Sequence, residues 1–166
     1  LSQQIPVLQP ISLRDEGFLA QLKAFQADVQ VVVAFRMLPK VVWQMPRKGT
    51  FNLHASLLPD YRGAAPINWA IIGGEATTGV TTFLIDEQID TGAILLRKEV
   101  AIAPRETAGT LHDKLMTVGA DLVVETLALI ASDKAVPQSQ PKQVVEKPAP
   151  KIHKETSHIP WEQSLA

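Results

Sequence analysis

The run Asp28-Val29-Gln30-Val31-Val32-Val33-Ala34-Phe35 constrains the fold more than any other stretch of this chain. A strand with one wet face alternates apolar and polar residues. A nearly unbroken β-branched run is the pattern of a strand covered on both faces, the usual situation of parallel strands. Parallel strands need crossovers, and the flanking sequence supplies them. Ile5-Pro6-Val7-Leu8 is a short strand candidate, and Asp15 to Gln26 forms a helical pattern with Phe18, Leu19, Leu22 and Phe25 on one stripe. After the apolar run, Leu38 to Gln44 is a short helix stopped before Pro46, and Thr50 to His54 is the next strand. This βαβαβ order predicts an α/β fold with a parallel sheet and right-handed crossovers.

Beyond a loop at Pro59 to Ala65, Pro66 suits the first turn of a helix that runs through Ile67 to Ile72 and ends at Gly73-Gly74. Gly79 to Ile85 and Ala93 to Ile102 are rich in β-formers and flank the acidic connector Asp86 to Gly92. They read as neighbouring strands whose relative direction the sequence leaves open. Thr107 can cap a long helix reaching about Ser132, with Leu111, Leu115, Val118, Leu122 and Leu129 as its buried stripe. From Pro137 onward proline, glutamine and lysine replace apolar periodicity, which reads as a linker.

A length of 166 residues suits one domain with a real core. The formal net charge of -1 gives no global push toward nucleic acid or membrane. Cysteine is absent, which removes disulfides and thiolate metal sites and fits a reducing compartment. No apolar run approaches the roughly 20 residues that span a bilayer. No G-x-G-x-x-G follows a strand, so a dinucleotide-binding dehydrogenase is set aside.

Chemistry concentrates in Phe51-Asn52-Leu53-His54-Ala55-Ser56-Leu57-Leu58-Pro59. Strand side chains alternate, so Asn52 and His54 share one face while Leu53 points to the other. An amide donor beside an imidazole is what acyl transfer needs: one group for a developing oxyanion, another that moves protons near neutral pH. The same pair also fits a capped strand with a satisfied polar pair. In Asp86-Glu87-Gln88-Ile89-Asp90-Thr91-Gly92, Asp90 sits at a turn. Its carboxylate could orient His54, or it could cap its own turn.

Four segments together resemble the folate-dependent formyltransferase family over essentially the whole chain: Ala34-Phe35-Arg36-Met37-Leu38-Pro39, Asn52 to Pro59, Tyr61-Arg62-Gly63-Ala64-Ala65-Pro66, and Ile89-Asp90-Thr91-Gly92. The resemblance implies a Rossmann-like α/β domain with a mostly parallel sheet whose N-terminal strands are missing from this sequence. Residues 1–136 would be the partial catalytic domain and residues 137–166 a linker toward a C-terminal domain not present. It implies Asn52, His54 and Asp90 as the catalytic trio and 10-formyltetrahydrofolate as co-substrate, with no metal. The folate would lie between Phe35, Arg36, Met37 and Leu38 on one side and Ile85, Asp86 and the connector on the other, with Ser56, Leu57, Leu58 and Pro59 as the next wall.

The acceptor follows from resemblance as well. Arg62 to Pro66, and the tail from Ala149 through Lys151 and Lys154 to Ile159-Pro160-Trp161, resemble the branch of the family that acts on charged initiator tRNA. Arg62, Lys151 and Lys154 would then meet phosphates. Asn68-Trp69 is shared with relatives that formylate amino sugars on nucleotides or hydrolyse the folate, and these stand as the alternatives. A non-enzymatic βαβ module with a basic tail that holds RNA or nucleotide ranks below both. A cytoplasmic monomer without membrane attachment is expected.

Overall fold

A computed structural model of the chain describes residues 5–33, 37–142, 145, 147–158 and 161. Four strands form the main sheet: β1 (Gln30–Val33), β2 (Thr50–His54), β4 (Thr77–Leu84) and β5 (Ile94–Ala101), in the order β1-β2-β4-β5. A second sheet pairs two short strands, β3 (Arg62–Gly63) and β6 (Pro148–Ala149). The helices are α1 (Glu16–Ala24), α2 (Lys40–Trp43), α3 (Pro66–Ile72) and α4 (Ala108–Ala131). β1 and β2 are parallel, β4 is antiparallel to β2, and β5 is antiparallel to β4. β1, β2 and β5 therefore point the same way, so the sheet is mostly parallel in direction although β4 runs against it. The hairpin settles the strand direction that the sequence left open.

Two expectations need correction. Ile5 to Leu8 forms no strand: Ile5 and Val7 are 66% and 56% exposed, and no described segment pairs with it. The strand Gln30–Val33 is not covered on both faces. Val32 is buried, but Val31 and Val33 are 39% and 56% exposed. They lie in register with Phe51 and Leu53, on the face that α4 covers. α4 packs on β4 and β5, so its cover stops short of this edge. The stripe of α1 likewise buries none of its residues fully.

α4 begins where Thr107 predicts. The Thr107 hydroxyl accepts from the Thr110 amide at 3.2 Å, and the Thr110 hydroxyl accepts from the Thr107 amide at 3.1 Å. The buried line is Leu111, Leu115, Gly119, Leu122, Thr126 and Ile130, with Val118 and Leu129 half-buried beside it. Small residues occupy the line where the helix lies closest to the sheet. A Cβ on Gly119 would come within 2.8 Å of Leu53, and the hydroxyls of Thr126 and Thr82 bond at 2.8 Å. Val80, Val100, Leu111, Leu115 and Leu122 form the core between α4 and the sheet.

The opposite face of the sheet carries the chain that follows β2. The Thr81 hydroxyl donates to the Ser56 carbonyl at 2.6 Å and accepts from the Leu58 amide at 3.1 Å. Leu58 packs on Phe83 and Ile94. Several described residues after Pro137 dock on the molecule. Gln138 exchanges both backbone bonds with Ile94 at 2.7 and 2.8 Å, Ala149 is fully buried against Tyr61 and Ala70, and the Trp69 indole donates to the Pro150 carbonyl at 2.8 Å. Among the described residues no helix is long and apolar enough to cross a membrane.

Candidate active site

β2 places Asn52 and His54 on the face away from α4, and the turn between β4 and β5 brings Asp90 beside them. All three are buried. The Nε2 of His54 bonds the Tyr61 carbonyl at 2.8 Å. A carbonyl only accepts, so Nε2 carries a proton and Nδ1 is the nitrogen left for exchange. Nδ1 faces Asp90 Oδ2 at 3.7 Å, beyond a direct hydrogen bond but within ion-pair range. The Phe83 ring closes the other side, edge to face with the imidazole at 6.4 Å. Among the described residues the buried amide oxygen of Asn52 has no hydrogen-bond partner. An oxygen so placed can accept a hydrogen bond from a polar group that enters the site.

Asp90 is held from several directions. Its backbone is left-handed, with φ 55°, a region that aspartate tolerates better than most residues. Its Oδ2 accepts from the Gly63 amide at 2.9 Å. Its carbonyl accepts from Arg62 Nε at 3.0 Å and from Gln140 Nε2 at 2.8 Å. Gly92 makes the turn possible, because a Cβ there would sit 1.7 Å from the Leu84 carbonyl oxygen.

Residues 2–127 match the formyl transferase family. The chain belongs to that family. It is 57% identical over 164 residues to a methionyl-tRNA formyltransferase from Flavobacterium johnsoniae, a match that takes in 99% of this chain and 52% of the relative. The chain thus spans about half the length of the curated relatives it matches. Among solved structures it resembles the formyltransferase PseJ from Anoxybacillus kamchatkensis, solved in complex with UDP-4,6-dideoxy-4-formamido-L-AltNAc and tetrahydrofolate. The TM-score is 0.64 at 28% identity, over 73% of this chain and 64% of that one. It also resembles phosphoribosylglycinamide formyltransferase from Bacillus halodurans, with TM-score 0.64 at 32% identity over 70% and 60% of the two chains.

Within this formyl transferase domain the predicted folate residues separate into groups. Phe35 and Arg36 lie outside the described residues. Met37 is 72% exposed, Leu38 and Ile85 are half-buried, and Asp86 is exposed, accepting from the Gln88 amide and the Thr91 hydroxyl. An ion pair between Lys40 and Glu87 ties the start of α2 to the connector, so the two segments are neighbours. Ser56 and Leu58 are fully buried, the Ser56 hydroxyl donating to the Asp60 carbonyl at 2.6 Å; Leu57 and Pro59 are half-buried. Their side chains hold the loop on the sheet.

Of the predicted phosphate contacts, Arg62 turns inward: besides Asp90 it donates from Nη2 to Gln140 Oε1 at 2.5 Å. Lys151 and Lys154 are exposed, just beyond the β3–β6 pair. A cavity of about 540 Å³ adjoins the Asp90 turn and is lined by Arg62, Asp86, Thr91, Gln140 and Lys142 among others; Asn52 and His54 do not line it. Among the described residues no group of three or more His, Cys, Asp or Glu side chains is placed to hold a metal ion.

Sequence reasoning missed the Tyr61 carbonyl, the Gly63 amide and Gln140. Backbone groups leave no trace in a sequence, and a glutamine in a Pro/Gln/Lys-rich stretch gives no signal. It also missed the network around Tyr61. The Tyr61 hydroxyl donates to Glu75 at 2.6 Å, and Lys147 Nζ donates to the same oxygen at 2.7 Å. Burial, then the bond to Glu75, pushes the Tyr61 phenol up to about 12. The Lys147 and Tyr61 bonds hold the Glu75 carboxyl below its ordinary value, and the bond to Glu75 raises the Lys147 ammonium. Because the Tyr61 carbonyl holds His54, this cluster sets the imidazole from behind.

Proposed function

We propose that the protein transfers the formyl group of 10-formyltetrahydrofolate to the amino group of methionyl initiator tRNA, acting as a cytoplasmic monomer. The observation that carries the chemistry is the buried Asn52, with its unpartnered amide oxygen, two residues from an imidazole that faces a carboxylate. The choice of acceptor is supported by the 57% identity to relatives named for that reaction.

The incoming amine adds to the formyl carbon, and the carbonyl electron pair moves to oxygen. Asn52 supplies an amide N–H to that oxyanion; rotating its amide by half a turn places Nδ2 where the unpartnered oxygen now lies. His54 donates from Nδ1, since Nε2 is engaged with Tyr61. Asp90 takes the proton of the attacking amine, and that proton reaches the folate nitrogen as its bond to the formyl carbon breaks. The carboxylate also balances the charge on His54 while both its nitrogens are protonated. Phe83 and the buried strand exclude water from one side, which strengthens each of these interactions.

Residues 37–38 and 85–90, joined by Lys40 and Glu87, form the folate cleft in this reading. The exposed apolar side chains of Met37 and Ile89 suit a planar ring. Lys151 and Lys154 meet tRNA phosphates, and Arg62 serves the Asp90 turn.

The test is formyl transfer by the complete protein with 10-formyltetrahydrofolate, offering charged initiator tRNA and an amino sugar nucleotide side by side. Transfer to the tRNA is expected. The structural likeness to the sugar-complexed PseJ makes the second acceptor the informative competitor, and transfer to it alone would replace the tRNA reading.

A further inference from the structure

The segment after α4 does more than leave the domain, for it reaches back to the functional face at Gln140. Its amide donates from Nε2 to two carbonyls of the connector, Asp90 at 2.8 Å and Gly92 at 2.9 Å. Its Oε1 accepts from Arg62 at Nη2 and Nε, at 2.5 and 3.2 Å. Both donor hydrogens and both acceptor lone pairs are thereby used. Glutamate could accept from Arg62 but donate to neither carbonyl, and lysine could donate but not accept. Only an amide on a two-carbon stem links the guanidinium to the turn in this way.

The partners of this amide bear on Asp90 itself. β3 grips Asp90 at both ends: the Arg62 side chain holds its backbone carbonyl, and the Gly63 amide holds its carboxylate. β3 is in turn laid down by β6. Gly63 has φ +125°, and a Cβ there would sit 2.5 Å from the Ala149 carbonyl oxygen, so the approach of the two strands requires glycine. A left-handed aspartate persists where surrounding bonds over-determine it.

We propose that Gln140 is a positioning residue for Asp90: with Arg62 it locks the connector turn so that the carboxylate faces His54, making the segment after α4 part of the active site. The catalytic half of its test rests on formyl transfer as proposed above. The structural half does not, because the Gly63 amide resonance reports the Asp90 carboxylate directly.

The complete protein, labelled at glycine with nitrogen-15, is compared with Gln140→Met, which removes donors and acceptor, with Gln140→Glu, which keeps the Arg62 contact and removes both donors, and with Asp90→Asn as reference. In both Gln140 variants the Gly63 amide peak should move toward its Asp90→Asn position. The turnover number should fall by about 10- to 100-fold, the range that small displacements of reacting groups produce, while KM for 10-formyltetrahydrofolate changes by less than about twofold. Gln140→Glu serves alone if Gln140→Met does not fold. A Gly63 peak left in place, or a turnover number unchanged while only thermal stability drops, overturns the proposal and leaves Gln140 a fastener of the tail. Wild-type protein that formylates no acceptor would refute the proposed reaction, and the Gly63 peak would still decide whether Gln140 positions Asp90.

Discussion

At His54 one hydrogen bond limits the chemistry proposed above. Nε2 is spent on the Tyr61 carbonyl, so every proton the imidazole exchanges passes through Nδ1, on the side of Asp90. His54→Ala should cost on the order of 100- to 1,000-fold in turnover with folate affinity largely retained, and Asn52→Ala should resemble it; single-turnover formylation with a folate-binding titration measures both. Asp90→Asn keeps the shape and should lower the turnover number while altering its pH profile. An unchanged profile would leave Asp90 a turn residue. Behind His54, Glu75 is held below its ordinary value of 4.5. The folded state therefore favours its charged form, and the stabilisation is whole above that value and lost as pH falls through the lower folded one. Glu75→Gln should lower stability by on the order of 1 kcal/mol at neutral pH, and the gap to wild type should close in acid; thermal melts across pH read this out. Tyr61 and Lys147, both raised, respond to pH in the opposite direction: the Tyr61 share is lost as pH climbs from about 10 toward 12, and the Lys147 share as pH climbs above its ordinary value of 10.5.

Helix α4 shows how far a pattern of side chains carries. Its cap at Thr107 and its length were legible because capping and periodicity are local properties. Its buried line was only partly legible. Hydropathy favours Val118 and Leu129, yet the sheet lies closest to Gly119 and Thr126, which are small enough to let the helix approach. Thr107→Ala should destabilise by about 1 kcal/mol through the lost cap. Leu111→Ala, at a fully buried position, should cost about 2–5 kcal/mol. Urea midpoints of the two variants would rank them, and the reverse order would mean that the core lies elsewhere. The edge strand β1 taught the converse. Its apolar run signals that both faces can be covered, while its actual exposure depends on what packs there, and the described residues leave Val31 and Val33 open.

For the molecule as a whole the acceptor is the decisive question. Binding of a polyanion releases counterions, so affinity for charged initiator tRNA should fall steeply with salt. Changing Lys151 and Lys154 together should flatten that dependence by about two units of log-log slope at most, at roughly 0.7 to 0.9 per contact. A nucleotide sugar carries few charges and should give a shallow dependence, indifferent to both lysines; turnover against salt for each acceptor separates the cases. The sequence by itself determined the four α-helices, the four strands of the main sheet and one face of the site. Thr50–His54 appears with the bounds its pattern predicts, and strand alternation alone puts Asn52 and His54 on one side. Tertiary structure decided the rest: that β4 runs against its neighbours, that Asp90 meets the imidazole, that Gln140 bonds the turn, and that Gln138 and Ala149 dock beside it on Ile94 and Tyr61. The reason is physical. Much of that docking is made by backbone N–H and C=O groups, which almost every residue carries alike, so neither composition nor periodicity can announce where they pair.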